Sequence, residues 1–274
     1  MNKHMGNMKL HFIKASTQGN TTAFFDDDVS SKDYALIARY AMDSDYLAAE
    51  QVGFIVAPHE KNTLMRLEMA GGEFCGNATL ALAALAVRRG DARTGDDIVL
   101  ECSGAPEPMR AIVLEQKGAS YHVRSSMPKG ATIEQANFIV RGKTYTGGLI
   151  DMNGIVHLCI ESDEGISAAE YDRLMDALIE RTESDAYGIV CYRREGKGLY
   201  AIRPYICVPA EESRVYEKAC GSGSLALSMW LHREGAGDAF DIAQPCGTIH
   251  VDIGDTDYIT ACVHFPCEGT MEIE

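Results

Sequence analysis

The sequence has no apolar run approaching the length of a bilayer span, so no membrane-crossing helix and no membrane partner are expected. Its opening stretch, Met1 to Leu10, lacks the apolar core and small-residue cleavage pattern of a secretory signal, which makes the cytoplasm the expected compartment. It has no basic stretch longer than Arg88-Arg89, against 40 acidic and 25 basic residues and a net charge of −15. A surface of that sign repels phosphate backbones, and nucleic acid is excluded as an expected partner. No C-x-x-C pair occurs among the nine cysteines, and the count is odd. Neither a disulfide framework nor a zinc site suits that pattern. His264 with Cys267 is the tightest His/Cys combination and reads as structural. The acidic run Asp26-Asp27-Asp28 has no glycine-containing loop of calcium-binding spacing. It reads as a solvated turn after the strand-like Phe24-Phe25, and no metal is expected.

What is present suits a globular enzyme. At 274 residues, with 46% hydrophobic and 24% charged, the chain can bury a sizeable core in two modest domains or one large one. Cys159, Cys191, Cys207 and Cys262 lie in apolar, strand-like runs and are expected to be buried small hydrophobes. Lys32 to Met42 and Ser167 to Arg181 have helical spacing; Ile98 to Leu100 and Tyr200 to Ile202 resemble strands. Trp230 is expected in the core.

An internal repeat is the main feature. Residues 75–82 read Cys-Gly-Asn-Ala-Thr-Leu-Ala-Leu, and residues 220–227 read Cys-Gly-Ser-Gly-Ser-Leu-Ala-Leu. Each is followed by a helical stretch ending in basic residues and glycine, then a strand, then Cys102 or Cys246 near a glycine turn, then another strand. The second copy lies about half a chain after the first. Two similar domains, each carrying one equivalent cysteine, follow from such a duplication.

Before Cys75, Leu64 to Met69 alternates like a half-buried strand and leads into the turn Gly71-Gly72. After it, Asn77 and Thr79 are cap-type residues and Ala78 to Val87 is rich in strong helix formers. Cys220 has the same setting, with Ser222 and Ser224 as cap-type residues before Leu225. Each cysteine therefore precedes a helix start. Unpaired N–H groups and the helix dipole favour negative charge there, which lowers a thiol pKa and can hold a carboxylate. One such turn alone would read as a tight strand-to-helix junction. Two matched ones point to reactive thiols.

These residues resemble the diaminopimelate epimerase family over nearly the whole chain. The resemblance is carried by Lys14 to Asn20, by Val52-Gly53-Phe54, by Glu73-Phe74-Cys75-Gly76-Asn77 and by Ala219-Cys220-Gly221-Ser222-Gly223. Gln244-Pro245-Cys246-Gly247 and a last strand around Gly269 to Ile273 extend it. It implies an α/β (α+β) fold of two pseudo-symmetric domains, each a mixed sheet wrapped around a central helix, with the active site in the cleft between them. The expected division is residues 1–127 plus 265–274, carrying Cys75, and 128–264, carrying Cys220. It also implies a base–acid pair, one thiolate removing the α-hydrogen and the opposite thiol delivering a proton to the other face. Asn20, Gly76, Asn77, Gly221 and Ser222 are then expected around the α-carboxylate and α-amine. No cofactor is implied, and pyridoxal phosphate is not used.

The departures narrow the substrate. Diaminopimelate epimerases carry a Glu-Arg pair before the second cysteine; here Val215-Tyr216-Glu217-Lys218-Ala219-Cys220 keeps the glutamate and lacks the arginine that would grip a distal carboxylate. Their Gly-Asn-Pro-His element is replaced by Asn153-Gly154-Ile155-Val156-His157. A closer resemblance is to the histidine racemases of opine-type, staphylopine-like metallophore pathways, through Glu50 to Ile55, Glu73 to Thr79 and the short spacing of Glu217 to Gly223. Two readings of Glu50 stand: it faces the substrate side chain and accepts an imidazole N–H, or it is a surface acid on a preceding helical stretch. Glu217 is expected on the α-amino group, and Gln51 on either end of the substrate.

The expected partner is a small-molecule amino acid, and a homodimer is compatible with this reading. Rival functions are a diaminopimelate epimerase, a racemase of another amino acid, a phenazine-pathway-type isomerase, or a non-catalytic ligand-binding or thiol redox-sensing protein.

Overall fold

The computed structural model describes residues 8–209 and 213–273. The chain divides into two compact units, one of residues up to Ser125 with the segment from Ala261, the other Ser126–Thr260. The first unit contains β1 (Met8–Thr17), β2 (Asn20–Phe25), α1 (Tyr34–Met42), β3 (Gln51–Val56), β4 (Met65–Met69), α2 (Gly76–Arg89), β5 (Ile98–Cys102), β6 (Met109–Lys117) and β7 (Ser120–Ser126). The second contains β8 (Thr132–Val140), β9 (Lys143–Asp151), β10 (Ile155–Glu161), α3 (Ala168–Arg181), β11 (Ala186–Gly196), β12 (Leu199–Val208), β13 (Ser213–Tyr216), α4 (Gly221–Arg233), β14 (Ala239–Gln244) and β15 (Gly247–Asp252). The long β16 (Tyr258–Ile273) starts in the second unit and ends in the first.

Each unit is a mixed sheet, and the two repeat one order of strand directions. In the first, the end of β16 pairs antiparallel with β1, and β1 with β2; β2 and β3 are parallel; β3 and β4 antiparallel; β4 and β5 parallel; β5 and β6 antiparallel. In the second, β8–β9 and β9–β10 are antiparallel, β10–β11 parallel, β11–β12 antiparallel, β12–β14 parallel and β14–β15 antiparallel. The duplication seen as a string of residues is thus a duplication of topology.

The central helices follow from composition. From Gly76 to Ala86, α2 is buried on every face, as is α4 at every position from Gly223 to Leu231. A helix without a polar stripe must be enclosed, and the sheet wraps around it. Arg88 and Arg89 then carry α2 to the surface, and Gly90, at φ +83°, closes it with a left-handed cap. In contrast, α1 and α3 are amphipathic and lie against the outer face of their sheets. Ser167 and Glu170 form a reciprocal capping box at the start of α3. The α1 layer packs on Phe25 and Phe54, the α3 layer on Leu158 and Ile189. Among the described residues, no helix is long and apolar enough to cross a membrane.

Three local expectations are corrected. Cys262 is exposed, because β16 alternates there and places Ala261 and Val263 inward. Cys102 and Cys246 are not equivalents: Cys102 is the buried last residue of β5, and Cys246 is exposed after β14. Asp26 is not merely solvated, since it pairs with His11 at 3.0 Å and Arg89 at 2.5 Å.

Candidate active site

The cysteine sulfurs themselves cap the two central helices. Cys75 has φ −128° and ψ 108°, and Cys220 has φ −128° and ψ 107°. In this extended backbone each Sγ accepts an N–H three residues on, from Ala78 and Gly223 respectively, both at 3.3 Å. Thr79 and Ser224, expected as caps, lie inside the first turn instead. Their hydroxyls turn back and donate to the Cys75 and Cys220 carbonyls at 2.8 and 2.7 Å. Asn77 and Ser222 are likewise helical, one residue after Gly76 and Gly221, which open α2 and α4. The first N–H groups of a helix have no intrahelical acceptor, so both openings present donors beside a sulfur.

The chain is braced at these points. Ser103 Oγ donates to the Glu73 carbonyl at 2.8 Å and accepts from Met69 N at 2.9 Å. Gly104, at φ +69°, follows so closely on this segment that a Cβ would stand 2.3 Å from Phe74 N. In the second unit Gln244 does the bracing: Oε1 accepts from Cys220 N at 3.1 Å and Nε2 donates to Ser224 Oγ at 2.6 Å. In the sequence it was legible only as part of the Gln-Pro-Cys-Gly string. The corresponding contact in the first unit is Thr79 Oγ1 to Cys102 Sγ, 3.4 Å.

Around Cys75, the thiol donates to Gln51 Oε1 at 2.6 Å. Gln51 thus engages the sulfur, a role not among those expected for it. Asn20 begins β2 after the turn at Gln18 and Gly19, both at positive φ. It is 1% exposed, and both side-chain polar atoms are buried with no hydrogen-bond partner. Buried amides are seldom left unsatisfied. Thr17, before the turn, donates to the Asn77 carbonyl at 3.0 Å and ties this hairpin to the first turn of α2. Glu50 does not sit on a helix, since α1 ends at Met42. It is half-buried; its N–H donates to Thr21 O at 3.0 Å, and its Oε2 accepts from Thr21 N at 3.4 Å.

Around Cys220, burial comes first. It pushes the thiol well above its ordinary value, and the neighbouring Glu217 carboxylate adds to the rise; the Ser222 hydroxyl and Gly223 N–H oppose it. The lowering expected from a helix start is therefore outweighed here by desolvation. Ser222 Oγ lies 3.5 Å from Sγ and 3.0 Å from His157 Nε2. In the sequence His157 stands out only as part of a departure from a motif. A histidine inside the apolar run Ile155 to Ile160 was the available signal.

The family model described as histidine racemase CntK N-terminal domain matches residues 9–266. The chain belongs to this histidine racemase family. It is an amino-acid racemase, an isomerase. A histidine racemase of Fusobacterium nucleatum subsp. nucleatum is 30% identical over 271 residues, covering 96% of this chain and 97% of that one. The histidine racemase of Staphylococcus aureus is 24% identical over 251 residues, 90% and 89% of the two chains. Among solved structures, a hydroxyproline epimerase from Agrobacterium vitis shares the fold at TM-score 0.73 and 12% identity, covering 97% of this chain and 93% of that one. A phenazine biosynthesis protein of the PhzF family from Bacillus anthracis matches at TM-score 0.66 and 12% identity, covering 98% and 100%. The fold is thus shared with a hydroxyproline epimerase and with a phenazine biosynthesis protein.

Proposed function

We propose that this chain interconverts L- and D-histidine, with Cys75 and Cys220 acting on opposite faces of the α-carbon. One observation carries the reading. Two sulfurs repeat a single cap geometry, with φ equal and ψ within a degree, at equivalent helix starts of two units of the same topology. Substrate and product of a racemase are mirror images. A catalyst with like groups for the two faces serves both directions, one sulfur as thiolate base and the other as thiol acid.

The α-hydrogen is a weak acid, and the carbanion formed by its loss needs donors on the carboxylate. The opening N–H groups at Gly76, Asn77, Gly221 and Ser222 are suited to this, together with the unpartnered Asn20 amide. Glu217 is assigned to the α-ammonium group, and Glu50 to the substrate imidazole N–H. A thiol titrates near enough to working pH, about 8.5 unperturbed, to serve in either protonation state. No pyridoxal phosphate enters this scheme. Histidine is favoured by the relatives and by the lack of an arginine ahead of Cys220 for a distal carboxylate. Reduced thiols suit the cytoplasm, the compartment we assign to the reaction.

The test is incubation with L-histidine in deuterated water, followed by chiral analysis and mass spectrometry. Loss of optical activity with α-deuteration, and no added cofactor, is expected. Absence of α-exchange with histidine, alongside exchange with another amino acid, would reassign the substrate; absence with all of them would sink the proposal.

A further inference from the structure

The two central helices end differently. Counted from the capping sulfurs, Arg89 at the end of α2 and Glu234 at the end of α4 occupy the same place. The hairpins beside them match in the same way. The β1–β2 ladder begins with Phe12 opposite Phe25, and the β9–β10 ladder ends with Gly147 opposite Ile160. The next places outward are His11 and Asp26 in the first unit, and Thr146 and Glu161 in the second.

In the first unit these residues neutralise one another. Asp26 pairs with His11 at 3.0 Å and with Arg89 at 2.5 Å, and Arg88 pairs with Glu268 at 2.8 Å. In the second unit Glu234 takes the place of the arginine, so Glu161 and Glu234 are two acids where the twin has an acid and a base. Among the described residues neither has an ion-pair partner. Arg233, the counterpart of Arg88, is engaged elsewhere: it donates to the Ile133 carbonyl and lies over the Trp230 ring. The last C=O groups of α4 add negative potential at the same end.

In place of the ion pairs the second unit has a cavity of about 320 Å³. Glu161, Glu234 and Arg194 line it together with the rings of Tyr192, Tyr200 and Trp230. The three aromatic residues are 6%, 5% and 7% exposed. The Tyr200 hydroxyl has no hydrogen-bond partner among the described residues, a rare state for a side chain so buried. The indole is admitted by an exchange of volumes. Where the first unit has Ile13 and Leu85, the second has Gly148 and Trp230, and a Cβ on Gly148 would stand 2.5 Å from the indole. Two carboxylates and one guanidinium leave one negative charge in excess, and aromatic faces attract cations. A space of this size suits a small molecule.

We propose that this cavity binds a small organic monocation with N–H donors, a guanidinium or primary ammonium compound, which supplies the charge that Arg89 supplies in the twin. Its carboxylate partners are Glu161 and Glu234, the aromatic rings enclose it, and the free Tyr200 hydroxyl offers it a further hydrogen bond. The 13-residue α4 separates the cavity from Cys220 by about 20 Å, so the site is independent of the cysteine chemistry.

Trp230 is the only tryptophan of the chain, and its emission therefore reports on the cavity directly. The experiment is titration of the full-length protein with methylguanidinium at low millimolar concentration, read by tryptophan fluorescence and by isothermal calorimetry. N-methylurea, its uncharged isostere, and sodium chloride at equal ionic strength are the comparisons. Neither organic probe is an amino acid, so the cysteine site does not compete for them. Saturable binding is expected, at least about tenfold tighter for methylguanidinium than for N-methylurea. Glu161→Gln and Glu234→Gln should each weaken it about tenfold, the scale of one charge-assisted hydrogen bond. Glu234→Arg restores the acid–arginine pair of the twin and should abolish binding without lowering Tm.

No saturable heat or emission change with methylguanidinium overturns the proposal. An equal response to N-methylurea or to sodium overturns it as well, as does wild-type affinity in both glutamine variants.

Discussion

The Cys75 thiol donates to Gln51 Oε1 across 2.6 Å, so the sulfur at the start of α2 is held by an amide from the first residue of β3. An amide suits a group that changes protonation state, because its carbonyl accepts from a thiol and, once rotated, its N–H donates to a thiolate. Gln51→Glu should break this balance, since a carboxylate at that distance opposes a thiolate. Alkylation of Cys75 at neutral pH is expected to slow about tenfold, with a smaller change in Gln51→Leu. An equal effect of the two substitutions would assign Gln51 to packing.

Removing either sulfur should stop the reaction. Cys75→Ala and Cys220→Ala are each expected to lower kcat/KM at least about a hundredfold, the usual scale of a general acid or base. Serine at either place should leave a trace. The equilibrium constant between enantiomers is unity, so kcat/KM must fall equally in both directions, which polarimetry from L- and D-histidine checks. Full turnover in one alanine variant refutes the pair.

Gly188→Ala tests the close packing of His157 on β11. Its Cβ would stand 2.1 Å from Nδ1, and neither the ring nor the strand can yield without displacing the other. A cost of about 1–3 kcal/mol is expected for such overpacking. For a chain of this size that is a Tm lower by about 2–4 °C per kcal/mol, read by calorimetry. The loss should be smaller in a His157→Ala, Gly188→Ala double variant than the sum of the single ones.

Glu101 supplies a pH prediction remote from the site. Burial alone would raise its pKa, but the N–H groups of Glu60 and His59, the Thr63 hydroxyl and Arg66 outweigh it and hold the carboxyl down at about 2, from an ordinary 4.5. A folded pKa below the unfolded one stabilises above about pH 4.5, and the contribution is lost as pH falls toward about 2. Glu101→Gln should therefore be less stable than wild type at neutral pH, and the gap should close progressively through that acid window. Urea titrations across pH measure it; a constant gap would refute the assignment.

Much of this molecule could be read from contiguous residues. The paired Cys-Gly octets announced the duplication because a helix start is written within one turn: an extended capping residue, small residues after it, then an Ala- and Leu-rich run. The helices Tyr34–Met42 and Ala168–Arg181 and the strands through Ile98 and Tyr200 followed from periodicities of a few residues. Even the capping was nearly legible, although the hydroxyls and amides drew attention from the sulfurs that perform it.

What stayed out of reach depends on register between distant segments. Cys262 faces outward rather than inward because of where β16 lies against its neighbours, a matter of one residue in a repeat of two. The contact of Gln51 with Cys75 spans 24 positions and that of His157 with Ser222 spans 65. No local pattern encodes either, since side chains so far apart in the chain meet only when sheet pairing aligns their strands with the opening turn of a buried helix. The chain's own order of residues dictated that two sulfurs would stand at matched helix starts. Folding alone gave each its different neighbours, because desolvation and hydrogen bonding act through space and not along the backbone.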